Sequence, residues 1–154
     1  MYDYSKQIDV FLDKKVRLPS IFLEKLYGHR EANRKRLISR LPDFIAHANI
    51  SDNYFKPQGS VAMQTIIQTK YSDEEYDLDD GLVIPRRQLK KRGGEELTFE
   101  EVRCAVRDAL KDDRFSRQPK LMTNCIRVFY ADEDEEKHHV DYPVYRLWEN
   151  DDEE

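Results

Sequence analysis

Tyr76-Asp77-Leu78-Asp79-Asp80-Gly81-Leu82-Val83-Ile84 is the stretch on which the reading of this chain turns. It reads as a strand, entered through the acidic turn Ser72–Glu75 and closed by Pro85. Side chains on a strand alternate faces, so Asp77 and Asp79 share one side. At the usual rise their Cα atoms stand about 6–7 Å apart. Two carboxylates that close repel each other, and a divalent cation between them relieves the repulsion. Magnesium suits such a site, because it prefers oxygen ligands and keeps water and substrate phosphate in its shell. Asp80 falls on the opposite side and reads as a structural residue bonded near the turn at Gly81.

Outward from this strand lie two further pieces of one site. Ser60 precedes Asp77 by 17 residues, in Gln58-Gly59-Ser60 at the start of a short helix expected over Val61–Gln68. Glycine lets the backbone approach a ligand closely, and N–H groups at a helix start favour anions. Ser60 adds a hydroxyl donor for a phosphate oxygen. Downstream, His139-Val140-Asp141-Tyr142-Pro143 is an apolar-alternating strand that interrupts its pattern with Asp141, a third carboxylate. Together these residues describe a triphosphate at a helix start with metals on facing strands. That is a site for phosphoryl or nucleotidyl transfer.

The remaining elements surround this core. Ile8, Phe11, Leu12 and Val16 have helical spacing. Leu18-Pro19-Ser20 breaks that helix, and Ser20 caps a second one expected over 21–41. Leu23, Leu26, Tyr27, Leu37, Ile38 and Leu41 form its buried stripe, Pro42 ends it, and Arg34, Lys35, Arg36 and Arg40 suit the dipole of its last turns. Thr98 and Glu101 form a capping box before a helix burying Phe99, Val102, Ala105, Val106, Ala109 and Leu110. Leu121–Tyr130 and His138–Tyr145 form a β-hairpin around the acidic tip Asp132–Glu136. The order implies an α+β fold, a small mixed sheet flanked by helices.

Composition narrows the classes. At 154 residues and 18.4 kDa the chain is one domain: a helical arm over about 1–50, a core over about 54–148 and an acidic tail over 149–154. Residues 1–131 carry a net +4 and the rest −9. A mildly basic body suits an anionic ligand but gives no strong nucleic-acid signal. No apolar run approaches a membrane span. The first residues lack a signal segment, and Cys104 and Cys125 read as free thiols in a reducing cytoplasm. Arg86, Arg87, Lys90, Lys91 and Arg92 read as a solvated loop, and His138 and His139 as exposed or packing residues, since magnesium avoids imidazole.

Gln58-Gly59-Ser60-Val61-Ala62, Tyr76-Asp77-Leu78-Asp79-Asp80-Gly81 and His139-Val140-Asp141-Tyr142-Pro143 closely resemble the cGAS/DncV-like nucleotidyltransferases (CD-NTases) of bacterial anti-phage CBASS systems, in the polymerase-β-like superfamily. The resemblance implies a cytoplasmic enzyme that joins nucleoside triphosphates, ATP and/or GTP among them, into a cyclic oligonucleotide with loss of pyrophosphate. By this likeness Gly59 and Ser60 contact the triphosphate, and Gln58 orients it. Asp77, Asp79 and Asp141 hold two Mg²⁺ ions, for which Mn²⁺ can substitute, and Asp141 helps activate the attacking ribose hydroxyl. The likeness covers the catalytic core, not the usual C-terminal helical half that closes the nucleotide cleft. A partner is therefore expected, either that half or an activator protein. Two other readings stand beside the synthase: a nucleotide-binding module without turnover, and a minimal transferase that places AMP on a protein or RNA.

Overall fold

A computed structural model describes residues 5–7, 10, 20–59, 76–131 and 137–148. Of the expected helix over 8–16 only Val10 is described, and it is helical; the expected helix Val61–Gln68, the turn Ser72–Glu75, Ser60, the tip Asp132–Glu136 and the tail lie outside the described residues. Helix α1 runs over Ser20–Phe44, strand β1 over Phe55–Gln58, β2 over Tyr76–Pro85 and helix α2 over Phe99–Leu110. Strands β3 (Lys120–Leu121), β4 (Ile126–Ala131), β5 (Lys137–Tyr142) and β6 (Val144–Leu147) follow. The six strands make one mixed sheet in the order β1-β2-β5-β4-β3, with β6 also paired to β2. The α+β class and mixed sheet expected from the sequence are what the chain adopts.

The sheet has two unlike faces. Leu78, Leu82 and Ile84 of β2, Ile126 and Val128 of β4, Val140 and Tyr142 of β5 and Val144 of β6 point to one side. There they meet Leu26, Leu37 and Leu41 of α1 and Val102, Val106, Ala109 and Leu110 of α2 in a single buried cluster. Each such side chain contributes about 1.5–3 kcal/mol of burial. The alternate residues of the same strands form the opposite face, which carries the polar groups described below.

One buried ion pair ties the helical layer to β2. Arg34 donates from Nε to Asp80 Oδ2 at 2.7 Å and from Nη2 to Oδ1 at 2.6 Å. Asp80 is fully buried. The guanidinium also lies 5.0 Å from the centre of the Phe55 ring. Asp80 is structural, as expected, but its partner is a helix arginine rather than the turn at Gly81. Nearby, buried Asn33 accepts from Arg36 and from the Tyr130 hydroxyl, and Arg36 also pairs with Asp112 at 2.8 Å.

Several local expectations change. Pro42 lies inside α1 rather than ending it. Proline removes one helical hydrogen bond, but Leu41 and Ile45 on either side are both buried, and Ile45 N still donates to Leu41 O. Ser20 lies within the described helix rather than capping it. Tyr27 and Phe99 are exposed, each falling at the edge of its buried stripe. No basic residue occupies the last turn of α1; Arg34 and Arg36 pair with carboxylates, and Arg40 donates to the Lys111 carbonyl. The capping box is present, with Thr98 Oγ1 accepting from Glu101 N and Thr98 N donating to Glu101 Oε2.

The hairpin forms as β4 against β5. Its first arm is shorter than expected, because Thr123 and Asn124 make a turn closed by Met122 N donating to Cys125 O, and β3 folds back on β4. Pro143 splits the second arm into β5 and β6, yet both lie parallel along the same edge of β2. Strand β1 carries no alternating apolar pattern in the sequence. Its Pro57 is tolerated because β1 is an edge strand.

Removing one member of a buried charge pair costs about 3–5 kcal/mol, while replacing both with apolar groups costs far less. Arg34→Met and Asp80→Leu should each lower stability by about that amount in urea denaturation, and the double variant should recover most of it. Single variants within about 1 kcal/mol of wild type would contradict the structural role given to the pair. Thr98→Ala should cost about 1 kcal/mol in the same measurement.

Candidate functional site

The exposed alternation of β2 carries the site. Asp77 is exposed, Asp79 is half-buried, and Leu78 and Asp80 between and beyond them are buried against the helices. Parallel pairing sets His139 beside Asp77 and Asp141 beside Asp79. His139 and Asp141, two residues apart on β5, therefore share the face of the two β2 carboxylates. On the other edge of β2, antiparallel pairing sets Gln58 beside Asp79. Five polar residues from three strands thus converge on one patch.

Two glycines make the convergence possible. Gly59 has φ +58°, and a Cβ there would lie 2.5 Å from Asp79 Oδ2. Both the left-handed backbone and the close approach exclude a side chain. A Cβ on Gly81 would lie 2.7 Å from Gln58 Nε2, so this glycine makes room for the Gln58 amide to lie across β2. The Tyr145 hydroxyl donates to Gln58 Oε1 at 3.1 Å and fixes the amide from the β6 side. The glycine of Asp-x-Asp-Asp-Gly is thereby explained by packing rather than by a turn.

Asp141 is almost fully buried, and both of its oxygens accept a hydrogen bond. Arg127 of β4, its register partner, donates from Nε to Oδ1 at 2.9 Å and from Nη2 to Oδ2 at 2.8 Å. Donor atoms of Asp77, His139 and Asp141 all lie within 4.8 Å of one another, and His139 Nε2 stands 3.9 Å from Asp141 Oδ2. Burial pushes the Asp79 carboxyl above its ordinary range, the charges of Asp77 and Asp141 push the same way, and His139 and Arg127 oppose them. Burial together with Asp141 pushes the Cys125 thiol up to about 12. It remains a protonated, buried free thiol. A carboxylate whose charged form is penalised by its neighbours is relieved by a divalent cation, so this donor set fits a metal.

The structure brings together five of the six residues singled out from sequence: Gln58, Gly59, Asp77, Asp79 and Asp141. Ser60 lies outside the described residues. Arg127 and His139 join the patch without having been singled out from sequence. Arg127 is identifiable only from the β4–β5 register, which sequence does not supply. His139 is legible from alternation alone, two residues from Asp141. Neither histidine is exposed: His139 lies on the polar face, while His138 packs on the helical side, 2.7 Å from His29 Nδ1 and stacked near Tyr130. In the basic loop, Arg86 pairs with Glu96 at 2.5 Å and Lys91 with Glu101 at 2.8 Å. Among the described residues no helix is long and apolar enough to cross a membrane.

No functionally curated protein matches the chain. Solved structures do. The Bradyrhizobium diazoefficiens CD-NTase CdnG in complex with GTP matches with a TM-score of 0.61 and 25% identity, over 90% of this chain and 36% of that one. Escherichia coli MS115-1 CdnC, solved with HORMA-deltaN, matches with a TM-score of 0.63 and 20% identity, over 96% of this chain and 42% of that one. The Vibrio cholerae di-nucleotide cyclase DncV matches with a TM-score of 0.65 and 16% identity, over 88% of this chain and 48% of that one. This chain thus spans about a third to a half of the length of these neighbours. The family model described as cyclic GMP-AMP synthase DncV-like, nucleotidyltransferase domain, matches residues 53–145, from the residue before Tyr54 through Tyr145, and so takes in both β2 and the Asp141 strand. The chain belongs to the DncV-like nucleotidyltransferase-domain family.

Proposed function

We propose that this chain is the catalytic core of a bacterial cyclic-oligonucleotide synthase acting in anti-phage signalling in the cytoplasm, with ATP and/or GTP as substrates. The observation that carries the reading is the coincidence of Asp77, Asp79 and Asp141 on one polar face beside Gly59, inside the family match. Family membership and the GTP bound by the CdnG neighbour support the substrate class. Two Mg²⁺ ions held by Asp77, Asp79 and Asp141 would supply charge stabilisation to the attacking and leaving oxygens of an in-line displacement.

The chain's own residues then have distinct tasks. The backbone at Gly59, with the Ser60 hydroxyl, receives the triphosphate, since no side chain at Gly59 obstructs it. Gln58, held by Tyr145, borders the triphosphate and limits how it can turn. Arg127 fixes the Asp141 carboxylate through both oxygens, each of which keeps a further lone pair. In the reaction a ribose hydroxyl oxygen bonds to the α-phosphorus, the bond to pyrophosphate breaks, and the hydroxyl proton leaves toward Asp141. Positioning of these groups is the larger part of such catalysis.

A second reading rests on the span of the chain, 36–48% of three neighbours. On this reading the chain binds nucleotide without turnover and gains activity from a helical half or activator supplied by another polypeptide. The HORMA protein bound to the CdnC neighbour shows that one relative assembles with a partner.

Pyrophosphate release from NTP mixtures with Mg²⁺ or Mn²⁺ should be detectable for the wild type. It should fall at least about a hundredfold in Asp77→Ala/Asp79→Ala. Equal release from both proteins would remove the synthase reading. Tight NTP binding without release, followed by release on adding a relative's C-terminal half, would favour the second. Because burial, and after it the charges of Asp77 and Asp141, oppose its ionised form, Asp79→Asn should raise the melting temperature of the metal-free protein while abolishing stabilisation by added Mg²⁺. A lower metal-free melting temperature would contradict the electrostatic account of the site.

A further inference from the structure

An imidazole sits where an oxygen-only magnesium site would not place one. His139 pairs in register with Asp77, lies two residues before Asp141 on the same strand face, and is nearly buried. Its ring reaches the carboxylates, with donor atoms of Asp77, His139 and Asp141 within 4.8 Å of one another. An ion about 2.1 Å from each donor holds them no more than about 4.2 Å apart. His139 Nε2 stands 3.9 Å from Asp141 Oδ2, already inside that limit. Asp79, the remaining carboxylate of the face, lies toward Gly59 instead.

We propose that His139 is a direct metal ligand and makes this site selective for a first-row transition ion, Mn²⁺ in particular, over Mg²⁺. The inference rests on reading the polar face as a metal site and deepens that reading. Magnesium binds oxygen and dehydrates reluctantly, so an imidazole adds little to its affinity. Transition ions gain from nitrogen ligands. Mn²⁺ has the charge and octahedral habit of Mg²⁺ and tolerates two carboxylates beside one imidazole, so it can serve the same phosphate chemistry. Arg127 strengthens the selectivity. Its two hydrogen bonds to Asp141 draw charge from that carboxylate, and this weakens an ion held by electrostatics alone more than one that also bonds to nitrogen.

The test is pulsed EPR on the wild-type chain with substoichiometric Mn²⁺ and no nucleotide, together with calorimetric titration of Mn²⁺ and Mg²⁺ separately. The spectrum should show a directly coordinated ¹⁴N, and the signal should disappear in His139→Gln. The ratio of Mn²⁺ to Mg²⁺ affinity should fall about tenfold or more in that variant. Absence of nitrogen coupling in the wild type overturns the proposal without need of any variant. So does coupling that survives His139→Gln, or an unchanged affinity ratio in a variant whose melting curve shows it folded. Pyrophosphate release with Mg²⁺ but no nitrogen coupling would sink His139 ligation and leave the transferase reading standing. Nitrogen coupling without pyrophosphate release would do the reverse.

Discussion

The contact between Arg34 and Asp80 sets the parity of β2. A strand can present either set of alternate residues to its core, and a slip by one residue exchanges them. Placing Asp80 inward is costly unless a cation waits there. Arg34 is that cation, presented by α1 at bidentate distance. With Asp80 anchored inward beside Leu78 and Leu82, Asp77 and Asp79 have only the outer face left. The acid that looks superfluous in Asp-x-Asp-Asp-Gly therefore orients the two that bear on the site.

A second constraint comes from the parallel pairing of β5 and β6 along one edge of β2. Pro143 cannot donate to the ladder, yet its carbonyl accepts from Leu82 N at 2.8 Å. The two strands on either side of it run on in the same direction. β5 contributes His139 and Asp141 to the carboxylate end of the patch, and β6 contributes Tyr145 to the Gln58 end. The continuation of β5 into β6 along β2 thus spaces the His139 and Asp141 side chains from Tyr145 and Gln58.

The polar face also illustrates how a site stores unfavourable charge. Asp77, Asp79 and Asp141 face one another across two strands, opposed by the Arg127 guanidinium. The helical side of the sheet, with its long aliphatic contacts and the Arg34–Asp80 and Arg36–Asp112 pairs, supplies the rigidity that keeps them together. Such an arrangement favours ligand binding at some expense of intrinsic stability.

Much of this was legible in the chain of residues. Alternation over 76–84 separates Asp77 and Asp79 from Asp80 without any structure, because period two is a property of the extended backbone. The capping box at Thr98 and Glu101 is likewise local, and so is the hairpin pattern around Asp141. What needed the tertiary structure was every relation between distant segments. Arg34 looks like a helix-dipole residue until α1 lies against β2. Arg127 looks like any strand arginine until the register of β4 on β5 sets it opposite Asp141. Phe55–Gln58 does not read as a strand because edge pairing to β2, not its own composition, makes it one. His139 shows the limit most directly: its face followed from spacing, but its closeness to Asp77 depends on which strand lies alongside. Sequence determines which way a side chain points along its own element; only packing decides what it meets there.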